Sequence, residues 1–219
     1  MGVKTMRQKI VVAARERFFH YGYTKTTMAE VASDCNMSPG NLYRFFPGKL
    51  DIAEEIAREA RDELFVRMRA VSRDPQMSAT QKLRKVLFMG LEFTFDRLER
   101  IPKAVEIVDI LRHDRPGFEE EMQALERTII ADILAQGDAG GEFCVADAKW
   151  TAEVIMCATQ RYYYPQVWSS APLERLQREL DSVIALMLGG LMPSRAHETK
   201  ADVAPAKSPF RRGVVSGFL

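Results

Sequence analysis

Thr27-Met28-Ala29-Glu30-Val31-Ala32-Ser33-Asp34-Cys35-Asn36-Met37-Ser38-Pro39-Gly40-Asn41-Leu42-Tyr43-Arg44-Phe45-Phe46-Pro47-Gly48-Lys49 is the stretch that decides the fold. Thr27 and Glu30 form a capping box. The hydroxyl accepts from a backbone N–H three residues on, and the carboxylate reaches back to the cap. This opens a short helix over 28–35 with Val31 and Ala32 turned inward. Asn36 is the non-glycine residue best suited to a positive φ, so a tight turn follows. Ser38 reads as an N-cap and Pro39 as the first residue of a further helix, expected to reach 45 or 46. Two short helices joined by a tight turn make a helix-turn-helix, and Pro47-Gly48 closes it.

The chain on either side continues in helices. A second capping box, Thr5–Gln8, opens a helix to about residue 21, with Ile10, Ala14, Phe18 and Tyr21 on one face and Gly22 to end it. Past Lys49, the stripe Ile52, Ile56, Ala60 and Leu64 marks a helix to 71. A third box, Ser78–Gln81, starts a long amphipathic helix through Leu83, Val86, Leu87, Leu91, Phe95 and Leu98. A shorter helix follows Pro102, and 112–117 reads as a loop. Met122, Leu125, Ile129, Ile133 and Leu134 mark the next helix, with the glycines from Gly137 to Gly141 as its stop. Two last helices are expected near 147–164 and 173–188.

No alternating strand pattern and no repeat is present. The prediction is an all-α protein of about nine helices. Residues 1–49 form a helix-turn-helix DNA-binding domain, with the motif at about 27–46. A larger effector-binding and dimerisation bundle covers 50–191, with helix 50–71 connecting the two. Residues 192–219, rich in Ala, Lys, Pro and Ser, are predicted to be a disordered tail.

Composition narrows the function classes. The apolar fraction of 47% suits a globular chain with a real core. No apolar run approaches the ~18 residues that span a bilayer, and no signal-peptide pattern opens the chain, so a cytoplasmic protein without a membrane partner is expected. Cys35, Cys144 and Cys157 are odd in number and widely separated. Like His20, His113 and His197 they lack metal-ligand spacing, so they read as small buried or incidental thiols and no metal or cofactor is expected. The net charge of +1 is unevenly spread. Residues 1–49 hold eight Lys/Arg against three Asp/Glu, a net +5, and 191–219 carry +3, which leaves −7 for the middle. A basic head on an acidic body suits a chain that offers one end to a polyanion.

A helix-turn-helix lays its second helix in the major groove, where the helix N-terminal residues meet base edges. Here these are Ser38, Pro39, Gly40 and Asn41. Asn pairs bidentately with adenine, which makes Asn41 the candidate for direct readout. Pro39 and Gly40 leave room for close approach. Thr27 at a helix start, Tyr43, Arg44 and Lys49 are the phosphate candidates. Simple N-capping is the plainer role for Ser38 and Thr27, and both roles are compatible. Leu42 and Phe46 read as core.

The runs 14–23 (Ala-Arg-Glu-Arg-Phe-Phe-His-Tyr-Gly-Tyr), 26–32 (Thr-Thr-Met-Ala-Glu-Val-Ala) and 37–49, in fixed order and spacing, resemble the TetR/AcrR family of bacterial regulators over roughly residues 5–55. The resemblance implies a homodimer that binds a palindromic operator in double-stranded DNA and represses transcription. It also implies an all-α domain that takes a small effector and so releases DNA, and an interface made by the last two helices. It carries phosphate contacts to Thr27, Tyr43 and Lys49. Two positions depart from the family pattern. Asn36 stands where Gly is usual, and Phe45 stands where a His or Tyr often donates to phosphate.

No signature beyond residue 55 names an effector. Phe88, Phe93, Trp150, Met156, Tyr162, Tyr163 and Trp168 are the candidates to line a pocket for a small apolar or amphipathic molecule, with ordinary core as the plainer reading. Tyr162-Tyr163-Tyr164 cannot all face one way on a helix. Ile155, Thr159, Leu176, Leu180, Val183, Ile184 and Met187 are the candidates for the subunit interface, with burial inside the monomer as the alternative use. No nucleophile with a base, no paired carboxylates and no glycine-rich phosphate loop supports catalysis, so no catalytic residues and no enzyme are expected. A regulator without a small effector, acting as an activator or through a protein partner, stays open on sequence.

Overall fold

Nine α-helices and no strand make up the residues that the computed structural model describes, 5–163 and 171–192. They are α1 (Met6–Tyr21), α2 (Met28–Asp34), α3 (Pro39–Leu42), α4 (Lys49–Ser72), α5 (Ala79–Arg100), α6 (Ala104–Asp114), α7 (Pro116–Ala139), α8 (Ala148–Thr159) and α9 (Leu173–Leu191). A 3-10 turn, Gln160–Tyr162, follows α8. The tail from residue 193, together with Tyr164 and Trp168, lies outside the described residues.

All three capping boxes form, with both reciprocal hydrogen bonds at Thr5, Thr27 and Ser78. They satisfy backbone donors that a helix start leaves open. The head, α1 to α3, closes over Ile10, Ala14, Phe18, Val31, Leu42 and Phe46, all fully buried. α4 packs against α1 at its start and against α5 and α7 further on, so one helix belongs to both head and body. In the body α7 packs on α5 and α8, and α9 on α5 and α8.

Several expectations are corrected. The loop at 112–117 shrinks to Arg115, because α6 runs to Asp114 and Pro116 restarts the chain as the first residue of α7. Gly137 does not stop α7. It sits buried inside the helix because a Cβ there would lie 2.2 Å from Phe143 Cδ2 and 2.9 Å from Ala79 Cβ. The glycine answers close packing, not termination.

The last two helices turn their apolar stripes into their own bundle. Ile155, Thr159, Leu176, Leu180 and Ile184 are 2% exposed or less, and Val183 and Met187 pack half-buried against the same core. Their apolar area faces α5, α7 and each other's helices inside one chain, which leaves little of it for a second subunit. Of the three thiols, read as small buried or incidental, Cys144 and Cys157 are exposed and Cys35 is half-buried.

Candidate nucleic-acid interface

The angle between α2 and α3 is set by a Schellman turn with asparagine at its left-handed position. Asn36 has φ 54°. Its N–H donates to the Ser33 carbonyl at 3.0 Å, and the Met37 N–H donates to Ala32 at 3.0 Å. These two bonds absorb the carbonyls that the end of α2 leaves open. Asparagine replaces the usual glycine here because its short polar side chain tolerates the left-handed region.

Ser38 caps α3, its Oγ accepting from the Asn41 N–H at 3.3 Å. The helix is shorter than expected. After Leu42 the bonds tighten, with Arg44 N–H donating to Asn41 and Phe45 N–H to Leu42, before Phe46 N–H closes on Leu42. Phe46 is fully buried and anchors this end. Ser38, Pro39, Gly40, Asn41, Tyr43 and Arg44, six of the predicted contacts, are all exposed. A Cβ at Gly40 would meet nothing within 4 Å, so the free fold does not require glycine there.

Phe45 contributes its backbone rather than its ring. Arg7 of α1 donates from Nη1 to the Phe45 carbonyl at 2.8 Å, lies 4.0 Å over the Phe46 ring, and pairs with Glu55 of α4 at 3.1 Å. Arg7 therefore ties α1, the end of the recognition segment and α4 together. Arg17 does the same for α2, reaching Asp34 through two bonds of 2.6 and 3.0 Å and Glu30 at 3.1 Å. The Arg17 hydrogen bond holds the Asp34 carboxyl below its usual pKa, and the Thr27 backbone and hydroxyl do so for Glu30.

Thr27 and Lys49 are already engaged. The Thr27 hydroxyl donates to Glu30 Oε2 at 2.8 Å. The Lys49 ammonium donates to the carbonyls of Tyr23 and Thr26, both at 2.7 Å, and lies 4.3 Å from the Tyr23 ring centroid. Burial lowers its pKa while Glu106 and Glu30 oppose. Sequence reasoning named Lys49 for phosphate, and the structure shows that it also braces the loop between α1 and α2.

The same loop is gripped from α6, through residues that the sequence reading did not single out. The Thr24 N–H donates to Glu106 Oε2 at 3.2 Å. Lys103 donates to the His20 carbonyl. Gly22, at φ 98°, passes so close that a Cβ would lie 3.0 Å from Glu106 Oε1. At the other end of α6, Arg115 pairs with Asp51 at 2.9 Å and Glu54 at 3.1 Å on α4. No local pattern marks these pairs, because they join residues more than sixty positions apart.

α6 also roofs a cavity. About 670 Å³ of space, its open mouth included, lies among α1, α4, α5, α6 and α7. Of the predicted pocket residues that are described, only Phe93 lines it. Trp150 is 66% exposed on α8, Met156 and Tyr162 are buried in the body core, and Phe88 packs half-buried against that core. Tyr163 turns its hydroxyl to Glu126, a carboxyl buried at 1% exposure whose pKa burial raises. Helical spacing gave each aromatic a face but not its neighbours. Among the described residues no cluster of His, Cys, Asp and Glu has the arrangement to hold a metal ion, and no helix is long and apolar enough to cross a membrane.

Known proteins share this arrangement. Residues 10–56 match the family model described as bacterial regulatory proteins, tetR family, and residues 79–184 match that described as tetracyclin repressor-like, C-terminal domain. The HTH-type transcriptional repressor KstR2 of Mycolicibacterium smegmatis is 25% identical over 204 residues, covering 86% of this chain and 92% of that protein. A solved transcriptional regulator from Cytophaga hutchinsonii is 25% identical with a TM-score of 0.64, over 84% of this chain and 97% of that chain. A TetR/AcrR-family regulator from Thermobifida fusca gives the same TM-score and coverage at 22% identity. The two models fall on head and body in the order in which the fold presents them, and the chain belongs to the TetR family of DNA-binding transcriptional regulators.

Proposed function

We propose that this chain is a homodimeric repressor that sets two α3 helices into successive major grooves of a palindromic operator, and that a small molecule bound beneath α6 releases it. The observation that carries the first half is the open N-terminal surface of α3. Asn41 is exposed there, unblocked by any neighbour at Gly40 and held on a segment fixed by Arg7. In this reading Asn41 selects bases, while Tyr43, Arg44, Thr27 and the remaining donor of Lys49 hold phosphates. Residues 1–49 are the DNA-binding domain and 50–191 the effector and dimer domain, and the protein works in the cytoplasm.

For the dimer, the outward faces of α8 and α9 replace the inward stripes. Trp150, Val154, Cys157 and Ala158 are exposed at helical spacing on α8. α9 exposes Ser182, Ala185, Leu186, Gly189 and Gly190, small residues around a leucine that is 79% exposed. For the release, α6 has two faces. Ala104, Ile107 and Leu111 meet the cavity, while Lys103 and Glu106 hold the loop of the head. A molecule that shifts α6 changes that grip.

The test is a footprint and gel-shift on the DNA that flanks the protein's own gene. A two-fold symmetric footprint at moderate salt is expected, and its absence overturns the proposal. Asn41→Ala should cost about 1–3 kcal/mol at one base pair of each half-site and little elsewhere. Arg44→Ala should weaken every sequence alike and flatten the salt dependence by about one unit of slope. An Asn41→Ala protein that lost all sequences equally would move Asn41 from readout to support.

A further inference from the structure

The cavity beneath α6 has a hydrocarbon body and two arginines, of which Arg61 pairs with Glu119 at 3.7 Å. Phe19, Ile56, Phe93, Leu98, Ile107 and Phe118 give it apolar walls. Arg97 of α5 stands where this cavity meets two polar clefts and lines all three. Its guanidinium lies 4.8 Å from the Phe93 ring centroid. It makes no ion pair among the described residues, whereas Arg100, one turn on, pairs with Asp96 at 3.5 Å. Burial lowers its pKa, and Arg15, Arg61 and Arg67 push in the same direction against Glu63. A guanidinium stays charged in proteins, so a half-desolvated one without a counter-ion carries a cost that an incoming anion removes. Its planar fork matches a carboxylate.

The outer cleft limits how much negative charge is welcome. Arg67, Arg97 and Arg100 there face Glu63, Glu92 and Asp96, so the charges balance. A group with several negative charges meets three carboxylates at close range, while one negative charge meets the unpaired Arg97.

We propose that this cavity binds an amphipathic monocarboxylate, its hydrocarbon chain between α4, α5, α6 and α7 and its carboxylate on Arg97. The inference rests on the effector reading given above and names the chemical class of that effector.

Isothermal titration of the full-length protein with decanoate, 1-decanol and decyl phosphate, below their aggregation limits, tests it. Decanoate should bind at least about tenfold more tightly than decanol, as a charge-assisted hydrogen bond implies. Arg97→Met should bring that ratio to about one, and Arg97→Lys, which keeps the charge, should retain part of it. Circular dichroism and melting curves establish that each variant is folded. Decanol binding as tightly as decanoate, an undiminished preference in folded Arg97→Met, or tighter binding of decyl phosphate overturns the proposal. A gel-shift with the same compounds separates the two readings. If decanoate binds through Arg97 but leaves the operator bound, the site stands and the effector role falls. If another compound releases the operator while decanoate does not bind, the site falls and the effector role stands.

Discussion

In the head, helices of sixteen, seven and four residues close over a core that Phe18 and Phe46 dominate. In the body, α5 and α7 run for twenty-two and twenty-four residues and bury Leu83, Leu91, Met122, Ile130 and Leu134 against α8 and α9. Helices as short as α2 and α3 do not hold in water by themselves. The head compensates with polar devices placed at every end: side-chain caps at Thr5, Thr27 and Ser38, the Schellman turn at Asn36, and the arginine ties of Arg7 and Arg17. The body relies on apolar area, and its most buried carboxyl, Glu126, is a cost that the Tyr163 hydroxyl offsets. A region of short elements with fixed ends is stiff but has few spare contacts, whereas a thick bundle has many.

The sharpest way to break this contrast is Phe46→Ala. Emptying the site of a fully buried ring costs about 3–5 kcal/mol. The head should open while the body stays folded, because Phe46 closes the recognition segment of the head under Arg7. Both tryptophans, at 150 and 168, lie outside the head in sequence, and Trp150 is on α8, so their fluorescence melt should hardly move. Amide exchange in α1 should lose its protection. A single melt that moves as one would show that head and body unfold together.

Gly137→Ala attacks the body instead. Its methyl has no room beside Phe143, and overpacking of this kind costs about 1–3 kcal/mol. The fluorescence melt should fall while operator affinity of the folded protein is kept. Asn36→Val is the counterpart in the head. A β-branched residue forced into the left-handed region costs about 1–2 kcal/mol, whereas Asn36→Gly should be neutral or mildly stabilising. Denaturation followed by α1 exchange ranks the three proteins, and a valine variant as stable as the glycine one would remove strain from the account of this turn.

The smallest effect at any one pH is a difference in slope. Burial places the Glu126 pKa in the folded body above its unfolded value of about 4.3, so the folded chain keeps a proton that the unfolded chain has lost. That contribution is fully present below the unfolded pKa and fades as pH rises through the folded one. Asp34 runs the other way. Arg17 lowers its pKa, so its contribution is present above the unfolded value of about 3.9 and fades as pH falls through the folded one. Acidification from neutrality to about pH 4 should therefore raise the body's melting temperature, and further acid should destabilise the head as Asp34 takes up its proton. Glu126→Gln should flatten the first of these trends, and a variant that keeps it assigns the trend to another group.

Local chemistry made the head readable from sequence. Capping boxes, Asn36 and the Ser38-Pro39 start each act within a few residues, and each forms as its spacing predicts. The body was legible as helices but not as neighbours. The stripes Ile155–Thr159 and Leu176–Leu180–Ile184 are apolar whether they meet another subunit or their own chain, and only packing on α5 and α7 decides. Gly137 carries the same symbol as a helix stop, and only the Phe143 ring beside it explains its place inside α7. Glu106, Lys103 and Arg97 gave no signal, since a charged residue on an amphipathic helix looks solvated until its surroundings are known.

Lys49 gives two of its three N–H donors to the carbonyls of Tyr23 and Thr26 and keeps one. Under the proposed mechanism a phosphate takes the third. The ammonium that meets DNA is then the one that steadies the loop which Glu106 holds from α6. Coupling of this kind is reciprocal: by whatever factor the small molecule weakens the operator, the operator weakens the small molecule by the same factor. The affinity of the free protein for its ligand would then overstate the sensitivity of the promoter, because the population that matters is already sitting on DNA.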